Sequence, residues 1–179
     1  SPQAPILDWF KGDDVHHNGA LMLMDIYSFA PYMFKKHDNP VEEDHGLPSP
    51  IGENAYDWFL QKNTLSNLTA ALPDTLSFWN EILQHPHYDE YWKERSLEQH
   101  LHDIKPAILV VGGTFDTDDC YGALNTYKLI KHNSPETDLH FVYGPWTHGG
   151  WHESDYEGLG AIEFTKGLSA DFMTDIEYP

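Results

Sequence analysis

An acidic side chain and an imidazole, Asp116 and His148, each follow a short apolar run that ends in glycine. Imidazole, with an unperturbed pKa of about 6.5, can take up and return a proton at neutral pH. A carboxylate beside it fixes the ring tautomer and stabilises the charged ring, so the two groups together can activate a hydroxyl group for nucleophilic attack. The structural alternative is equally open, with Asp116 as a second helix cap and His148 as a turn residue bonded to backbone, because both residue types are common in loops.

The two apolar runs predict the strands that hold this pair. Residues 107–111 and 139–143 are short and largely apolar, which favours strands covered on both faces in a parallel sheet. Glycine follows each run, at Gly112 and at Gly144, and is predicted to end the strand. The acid and the imidazole therefore lie just beyond two strand ends.

A helix is predicted between the two strands. Apolar residues recur at helical spacing from Asp119 to His132, with Thr117 as the N-cap and Asp118 in the first turn, where the helix dipole favours an acid. This assigns helix-start roles to Asp118 and Asp119 and leaves Asp116 as the unassigned acid. The order strand, helix, strand predicts parallel strands, and ligands bind at the carboxyl edge of such sheets.

The part of the chain before these strands carries mainly helical signals. Apolar spacing predicts helices over residues 20–34, 55–61, 75–83, 88–93 and 97–104, with a proline-containing loop over 35–52. Pro31 is predicted to end or kink the first of these helices.

The composition limits the classes of partner. The 179 residues include 10 basic and 29 acidic side chains, a formal net charge of −19. Nucleic acids and anionic membranes attract clustered Lys and Arg, so neither is a predicted partner, whereas a cationic ligand is compatible with this charge. No apolar run is long enough to span a membrane. The single cysteine, Cys120, excludes an internal disulfide and is predicted to be a small core residue.

Longer stretches around the pair resemble a known group of hydrolases. GTFDTDDCYGAL contains Asp116 and GPWTHGGW contains His148, and both are similar to the acid and histidine motifs of the CocE/NonD hydrolases. That group includes α-amino-acid ester hydrolases, cephalosporin (glutaryl-7-aminocephalosporanic acid) acylases and X-Pro dipeptidyl-peptidases. SPQAPILDWFKGDDVHHNGA and HPHYDEYW also resemble the group's pattern, so the similarity spans almost the whole chain.

The resemblance implies an α/β fold. The expected architecture is a partial α/β-hydrolase domain, its last parallel strands, with an inserted and mainly α-helical cap. Residues 1–12 would end a sheet strand, 13–104 would form the cap, and 105–179 would form the C-terminal part of the hydrolase domain. Asp116 and His148 are then the acid and base of a catalytic triad. The group's nucleophile is a serine in a G-x-S-x-G elbow, which does not occur in this sequence. The chain is therefore expected to be a fragment that is inactive alone.

Four further residues are candidates for substrate binding. In the α-amino-acid ester hydrolases a carboxylate cluster recognises the substrate ammonium, and Asp89 and Glu90 are the best match to that position. The alternative for this acidic pair is a solvated helix N-terminus. Trp146 and Trp151 flank His148 and are candidates for an acyl pocket, or else pack in the sheet-edge turn. No metal site and no cofactor are predicted.

The predicted function is that of a serine hydrolase fragment. The complete enzyme would cleave ester or amide bonds of acyl or aminoacyl substrates of the α-amino-acid ester, β-lactam acyl or X-Pro peptide type, through an acyl-enzyme. Predicted partners are a small-molecule or short-peptide acyl substrate and the remainder of its own hydrolase domain, with a homo-oligomer left open. The alternative is a non-catalytic acidic helical module that binds a cationic or aromatic ligand. Resemblance alone suggests a secreted or periplasmic location.

Overall fold

The computed structural model describes residues 1–33, 51, 54–72, 76–153, 158–164 and 172–177. The chain divides into two compact units. Unit 1 comprises Ser1–Ala20 and Glu90–Pro179, and unit 2 comprises Leu21–Asp89. Unit 2 is thus inserted in sequence between the two parts of unit 1.

A parallel pair of strands, β3 (Ile108–Gly113) and β4 (Leu139–Gly144), forms the centre of unit 1. Val110 and Val111 are fully buried, as expected of a strand covered on both faces. The register pairs Gly113 with Gly144, so the two strands end level with each other. Both predicted strands are confirmed, but the prediction that glycine ends them is wrong, because the glycines are the last residues inside the strands.

The N-terminal residues add a third parallel segment beside β3. Gln3 forms a parallel bridge with Val111. The Ala4 N–H donates to the carbonyl of Val111 at 2.9 Å, and the Val111 N–H donates to the carbonyl of Pro2 at 3.0 Å. Val111 also pairs with Val142 of β4, so β3 lies between the N-terminal segment and β4.

The helix α6 (Cys120–Asn133) connects β3 to β4. Its residues Ala123 and Ile130 are buried, and the ring of Tyr127 stacks on Phe141 of β4 with 4.8 Å between centroids. The predicted strand, helix, strand unit with parallel strands is therefore confirmed.

The predicted N-cap of this helix is wrong. The helix begins at Cys120, preceded by Asp119, and Thr117 lies in the turn before it. The side chain of Asp116 accepts hydrogen bonds from the N–H groups of Asp118 and Asp119. Residues 117–119 therefore form a turn around the Asp116 side chain, and the helix starts only after this turn.

The remaining elements of unit 1 are short. They are β1 (His16–His17), α5 (Glu90–Lys93), 3₁₀ turns at Glu98–His100 and Gly150–His152, an antiparallel pair of β5 (Gly158–Leu159) and β6 (Ile162–Glu163), and a π-helical turn at Met173–Glu177. The strand β2 (Ala20–Leu21) pairs with β1 where the two units join in sequence. The helix predicted over 97–104 is wrong beyond its first turn, since Asp103 has φ 53°, a left-handed conformation that ends a helix.

Unit 2 is helical in its described residues. It contains α1 (Leu23–Met33), α2 (Ala55–Lys62), α3 (Leu65–Thr69) and α4 (Ser77–Gln84). The buried Tyr27 donates its hydroxyl hydrogen bond to the carbonyl of Leu68 at 2.8 Å, and its ring lies 5.2 Å from that of Trp79. Apart from Ile51, the predicted loop over 35–52 lies outside the described residues.

Unit 2 differs from the sequence-based expectation in several details. Pro31 lies inside the last turn of α1, and the predicted kink there stays a prediction. Tyr56 and Leu60 of α2 are 68% and 64% exposed, whereas the ring of Phe59 lies 5.5 Å from that of Tyr27, so only part of the apolar side chains of this helix pack within the unit. The helix α3 was not predicted, because its five residues are too few to show a helical period. No helix in the described part of the chain has the length and apolarity needed to cross a membrane.

Candidate active site

The loops that follow β3 and β4 are bonded to each other. The Thr114 N–H donates to the carbonyl of Gly144 at 2.8 Å, and the Phe115 N–H donates to the carbonyl of Trp146 at 3.0 Å. Only glycine fits at position 113, because a Cβ atom on Gly113 would lie 2.1 Å from the Trp146 carbonyl oxygen. The two loops therefore meet where the parallel strands end.

The side chains of Asp116 and His148 meet between these loops. His148 Nδ1 lies 3.1 Å from Asp116 Oδ2. Asp116 is 3% exposed, and its Oδ1 accepts the N–H groups of Asp118 and Asp119 at 3.2 and 3.1 Å. These two bonds orient the carboxylate so that its other oxygen faces the ring. The distance of 3.1 Å between His148 Nδ1 and Asp116 Oδ2 is that of a hydrogen bond. The catalytic role of the two residues stays a prediction.

A second carboxylate contacts the same ring nitrogen. Asp119 Oδ2 lies 3.2 Å from His148 Nδ1, and Asp119 is 3% exposed. Its other oxygen, Oδ1, is buried and has no hydrogen-bond partner among the described residues. The sequence pattern assigned Asp119 only to the helix start. The signal that it missed was the density of acids, since Asp116, Asp118 and Asp119 exceed what one helix terminus requires.

The two carboxylates change the proton affinity of the ring. Hydrogen bonds to Asp116 and then to Asp119 raise the pKa of His148 to about 10. Burial acts to raise the pKa of Asp116, but the hydrogen bonds from His148 and from the Asp119 N–H hold it below its ordinary value. The arrangement therefore strongly favours an imidazolium, which is the state a general base reaches after it accepts a proton.

Asp14 is a further carboxyl group in this region. Burial, followed by the charges of Asp119 and Asp118, raises the pKa of Asp14 to about 7, while His148 acts in the opposite direction. The Asp14 N–H donates to the carbonyl of Asp118 at 3.2 Å. Because several carboxylates surround one imidazole, a cationic ligand would be stabilised here.

An open pocket of about 530 Å³ is lined by Asp116 and His148. Its other walls carry hydroxyl and apolar side chains, namely Thr114, Phe115, Thr117, Thr147 and Leu159. The side chain of His148 is 61% exposed, and its Nε2 atom has no hydrogen-bond partner in the described ranges. The ring thus presents one nitrogen to the acids and leaves the other for a reacting group.

Trp146 and Trp151 lie in the core. They are 5% and 3% exposed and pack in one cluster with Val111 and Phe172. Trp151 Nε1 also donates to Gln3 Oε1 at 2.8 Å. Neither indole lines the pocket beside His148. Their contact with substrate stays a prediction, and this placement favours the packing alternative.

Asp89 and Glu90 belong to different units. Asp89 Oδ2 lies 2.7 Å from His85 Nδ1. Glu90 Oε1 accepts a hydrogen bond from Lys93 Nζ at 2.7 Å, and its side chain is 78% exposed. Their predicted role in ammonium binding stays a prediction, while the acids that the structure brings to His148 are others.

Cys120 follows Asp119 at the start of α6. Its Sγ atom lies 2.7 Å from the Tyr143 hydroxyl, and the residue is only partly buried. The prediction of a small core residue therefore holds only in part, because the thiol is hydrogen-bonded at the edge of the core.

The side chains of Asp116, Asp119 and His148 are also the group among the described residues whose ligand atoms lie close enough to surround a metal ion, within 4.8 Å of one another. Imidazole and carboxylate suit several divalent cations. Both carboxylates lie at hydrogen-bonding distance from the same nitrogen, Nδ1. That geometry satisfies the ring nitrogen without a metal.

The fold and the site define an α/β protein whose parallel strands end at a carboxylate–imidazole cluster beside a pocket. The chain belongs to the X-Pro dipeptidyl-peptidase (S15) family, whose model matches residues 1–150. The resemblance to the CocE/NonD group, first indicated by GTFDTDDCYGAL and GPWTHGGW, is confirmed.

Two solved structures are similar to the chain. An aminopeptidase from the marine sediment archaeon Thaumarchaeota archaeon is 28% identical with a TM-score of 0.83, and the match covers 98% of this chain and 28% of that chain. A selenomethionine-labelled α-amino acid ester hydrolase is 24% identical with a TM-score of 0.83, again over 98% of this chain and 28% of that chain. This second likeness shows the fold alone. No curated protein matches the chain.

Proposed function

We propose that the chain is part of a serine hydrolase that cleaves ester or amide bonds of aminoacyl substrates through an acyl-enzyme. The observation that carries the proposal is the 3.1 Å contact between Asp116 Oδ2 and His148 Nδ1 beyond two parallel strands that end level. Membership of the X-Pro dipeptidyl-peptidase family supports the same class of reaction.

The remaining catalytic groups are proposed to lie in other parts of the protein. The chain spans 28% of the length of the similar aminopeptidase, and no G-x-S-x-G elbow occurs in these residues. The serine nucleophile and the oxyanion hole would therefore come from outside them, and unit 2 is proposed as the helical cap. These 179 residues alone are expected to be inactive.

The proposed reaction uses both nitrogens of His148. The serine oxygen attacks the substrate carbonyl carbon while Nε2 takes the hydroxyl proton, and Asp116 accepts the Nδ1–H hydrogen bond that fixes this tautomer. Collapse of the tetrahedral intermediate breaks the bond to the leaving group, which receives the proton from Nε2. A water molecule then repeats the sequence, releases the acid and restores the serine.

Asp119 has two consequences for this reaction. Hydrogen bonds to Asp116 and Asp119 raise the pKa of His148 to about 10, which stabilises the imidazolium formed during attack but also keeps the resting ring charged at neutral pH. A cation bound beside Asp119 would offset part of the negative charge and lower the pKa of His148. The site is therefore suited to a substrate that brings its own positive charge.

We infer that this charge is the free α-amine of the acyl group. Asp119 does not line the pocket and its Oδ1 atom is buried, so an ammonium group in the pocket would act on this carboxylate through its charge. The neighbouring charge of Asp118 favours the same ligand, and a bound cation would also favour ionisation of Asp14, whose pKa is about 7. Amine binding by Asp89 and Glu90 remains the alternative, and α-amino ester, β-lactam acyl and X-Pro peptide substrates all remain candidates.

The reaction class is tested with the full-length protein. Hydrolysis of aminoacyl and Xaa-Pro nitroanilides should fall by about 10³-fold or more in His148→Ala, because the general base is lost. His140→Ala is the matched control, since that imidazole is exposed and pairs with Asp138. A fluorophosphonate probe should label one serine, identified by mass spectrometry.

Two results would argue against a serine hydrolase. Full activity of His148→Ala would remove the base from the mechanism. Activity that disappears in EDTA and returns with a divalent cation would mean that Asp116, Asp119 and His148 hold a metal. A full-length protein that binds aromatic amines but hydrolyses none of the substrates would support the non-catalytic binding module.

Amine recognition is tested with paired substrates. Each aminoacyl ester is compared with its N-acetylated form, and kcat/KM should be about tenfold higher for the free amine, which corresponds to about 1.4 kcal/mol of electrostatic attraction. Asp119→Asn should reduce this preference, whereas Glu90→Gln should leave it unchanged. The opposite pattern would favour Glu90, and equal turnover of both substrates would remove amine recognition altogether.

A further inference from the structure

Asp13 is a buried carboxylate that the proposed reaction does not use. It is 0% exposed. Its Oδ2 accepts the N–H groups of Leu7 and Asp8 at 2.8 and 2.9 Å, and its Oδ1 accepts the N–H of Gly122 at 2.6 Å. A buried charge is costly unless hydrogen bonds compensate it. The three N–H donors are therefore what allows a carboxylate at this position.

The bond to Gly122 reaches the first turn of α6. The N–H groups of a first helical turn have no acceptor inside the helix, and Asp13 supplies one from a segment 109 residues away in sequence. The packing is close, because a Cβ atom on Gly122 would lie 1.9 Å from the carbonyl oxygen of Pro5. A Cβ atom on Gly12 would lie 2.4 Å from Tyr121 Cγ. The segment therefore rests directly against the helix start.

That helix start carries the acids that face His148. Asp119 immediately precedes α6 and lies 3.2 Å from Nδ1 of the ring. The N–H of Asp119 also donates a hydrogen bond to Asp116 Oδ1 at 3.1 Å. A displacement of the helix start would therefore move both carboxylates relative to the imidazole. Asp13 itself does not bond to His148, so its effect would pass through the loop.

We propose that Asp13 is a positioning residue, whose bond to the Gly122 N–H sets the distance of the acid loop (residues 116–119) from His148. The activity test of this proposal rests on the proposed hydrolase function, whereas the hydrogen bonds of Asp13 do not depend on that function. A second bond supports this role, since the Asp14 N–H donates to the carbonyl of Asp118 at 3.2 Å. The segment thus holds the helix start at Gly122 and the acid loop at Asp118.

The charge of Asp13 matters for this anchoring. A carboxylate accepts from all three N–H groups, whereas a carboxyl or an amide turns one of its two ends into a donor. Burial raises the pKa of Asp13 to about 6, although the backbone hydrogen bonds lower it, and the charge of Asp119 raises it further. The other charged group beside it is Asp14, while Tyr121 bonds to Glu98. With a pKa of about 6, the Asp13 carboxylate is half formed at about pH 6 and nearly complete above about pH 7.

Asp13→Asn in the full-length protein tests the proposal. The amide oxygen can keep the two bonds to Leu7 and Asp8, which leaves the NH₂ group facing the Gly122 N–H. We expect kcat to fall about tenfold or more, since a misplacement of about 1 Å can cost about 10²-fold. KM should change less than kcat, because Phe115, Thr147 and Leu159 of the pocket wall lie outside the acid loop.

One further measurement, made with a control variant, separates a positioning role of Asp13 from a merely structural role. The downfield proton resonance of His148 Nδ1–H should shift in Asp13→Asn, whereas a merely structural role would leave it in place in the folded protein. Asp138→Asn is the matched control, because Asp138 is 73% exposed and pairs with His140. The control should keep the wild-type kcat and resonance.

Each outcome decides the proposal. A folded Asp13→Asn with wild-type kcat and an unmoved resonance would overturn it. If this variant does not fold, the wild type is titrated downward from about pH 7.5 until the carboxyl carbon signal of selectively labelled Asp13 shows its protonation. A shift of the His148 Nδ1–H resonance in step with that signal supports the proposal, and an unmoved resonance overturns it. If His148→Ala proves fully active, the hydrolase function fails while the two resonances still test Asp13.

Discussion

Replacing Asp116 by Asn tests how two carboxylates share one imidazole. Asp116 Oδ1 accepts the N–H groups of Asp118 and Asp119, and Oδ2 faces His148 Nδ1. The amide oxygen of Asn must stay on the two N–H donors, so its NH₂ group turns toward Nδ1. That nitrogen then has to act as acceptor, and the ring proton moves to Nε2. A ring protonated at Nε2 cannot accept the serine proton.

The size of the loss depends on Asp119. The same change in an enzyme with a single triad acid lowers kcat by about 10⁴. Here Asp119 Oδ2 lies 3.2 Å from Nδ1, almost as close as Asp116 Oδ2 at 3.1 Å. A hydrogen bond to a charged group contributes about 1.5–3 kcal/mol, which corresponds to about 10- to 100-fold. We therefore expect kcat to fall about 10²- to 10³-fold in Asp116→Asn.

The complete experiment uses a double-mutant cycle in the full-length protein. Asp119→Asn should lower kcat about tenfold, because Asp116 remains in place, and the double variant should reach about 10⁴-fold. The assay is release of nitroaniline, with active sites counted by a burst titration so that misfolded protein does not distort kcat. A double variant no slower than Asp116→Asn would show that Asp119 does not replace the lost acceptor. Wild-type kcat in Asp116→Asn would refute the proposed mechanism.

Three further predictions follow from the same geometry. Asp119→Asn should lower the pKa of His148, so the acid limb of the pH profile of kcat/KM should move to lower pH. An acid limb that does not move would contradict the idea that Asp116 and Asp119 both bind the Nδ1 proton of His148. Because the folded pKa of His148, about 10, lies above its ordinary 6.5, the stability that it contributes is complete below about pH 6.5 and is lost as the pH rises through about 10. The difference in urea-unfolding free energy between wild type and His148→Ala should therefore shrink over that window, and a growing difference would reverse the assigned sign. Gly113→Ala should lose about 1–3 kcal/mol of stability and most activity, since its Cβ would lie 2.1 Å from the Trp146 carbonyl oxygen. Gly160→Ala is the comparison, because its surroundings are open and only its left-handed backbone, φ +56°, strains an added Cβ. Equal melting temperatures and activities of the two variants would refute the reasoning.

The secondary structure that positions the site was predictable because it follows from local pattern. The apolar runs at 107–111 and 139–143 and the helical period between them depend only on neighbouring residues. Gly112 and Gly144 were misread as strand ends. Glycine usually weakens a strand. It is needed inside these strands because a Cβ atom on Gly112 would lie 2.5 Å from Ala123 Cβ, and one on Gly144 would lie 2.4 Å from the Trp146 ring.

The contact between Asp116 and His148 was predictable for a topological reason. Two parallel strands joined by one helix place the residues after them at the same edge, so Asp116 and His148 had to come near each other. The tryptophans were harder to assign, since an indole beside His148 in sequence fits a pocket wall as well as a core. Burial of Trp146 and Trp151 with Phe172 depends on a segment distant in sequence.

The amino-acid sequence by itself therefore determined the family, the parallel strands and the acid–imidazole order, all of which rest on local periods, motifs and chain direction. Only the tertiary structure decided that Asp119 shares the imidazole with Asp116 and that Asp14 lies near enough to interact with Asp119 and His148. It alone joined Asp13 to Gly122. The physical reason is that electrostatic and hydrogen-bonding partners are selected by distance in space. The residues around Asp13 in the sequence do not indicate that its carboxylate accepts a hydrogen bond from a helix more than a hundred residues later.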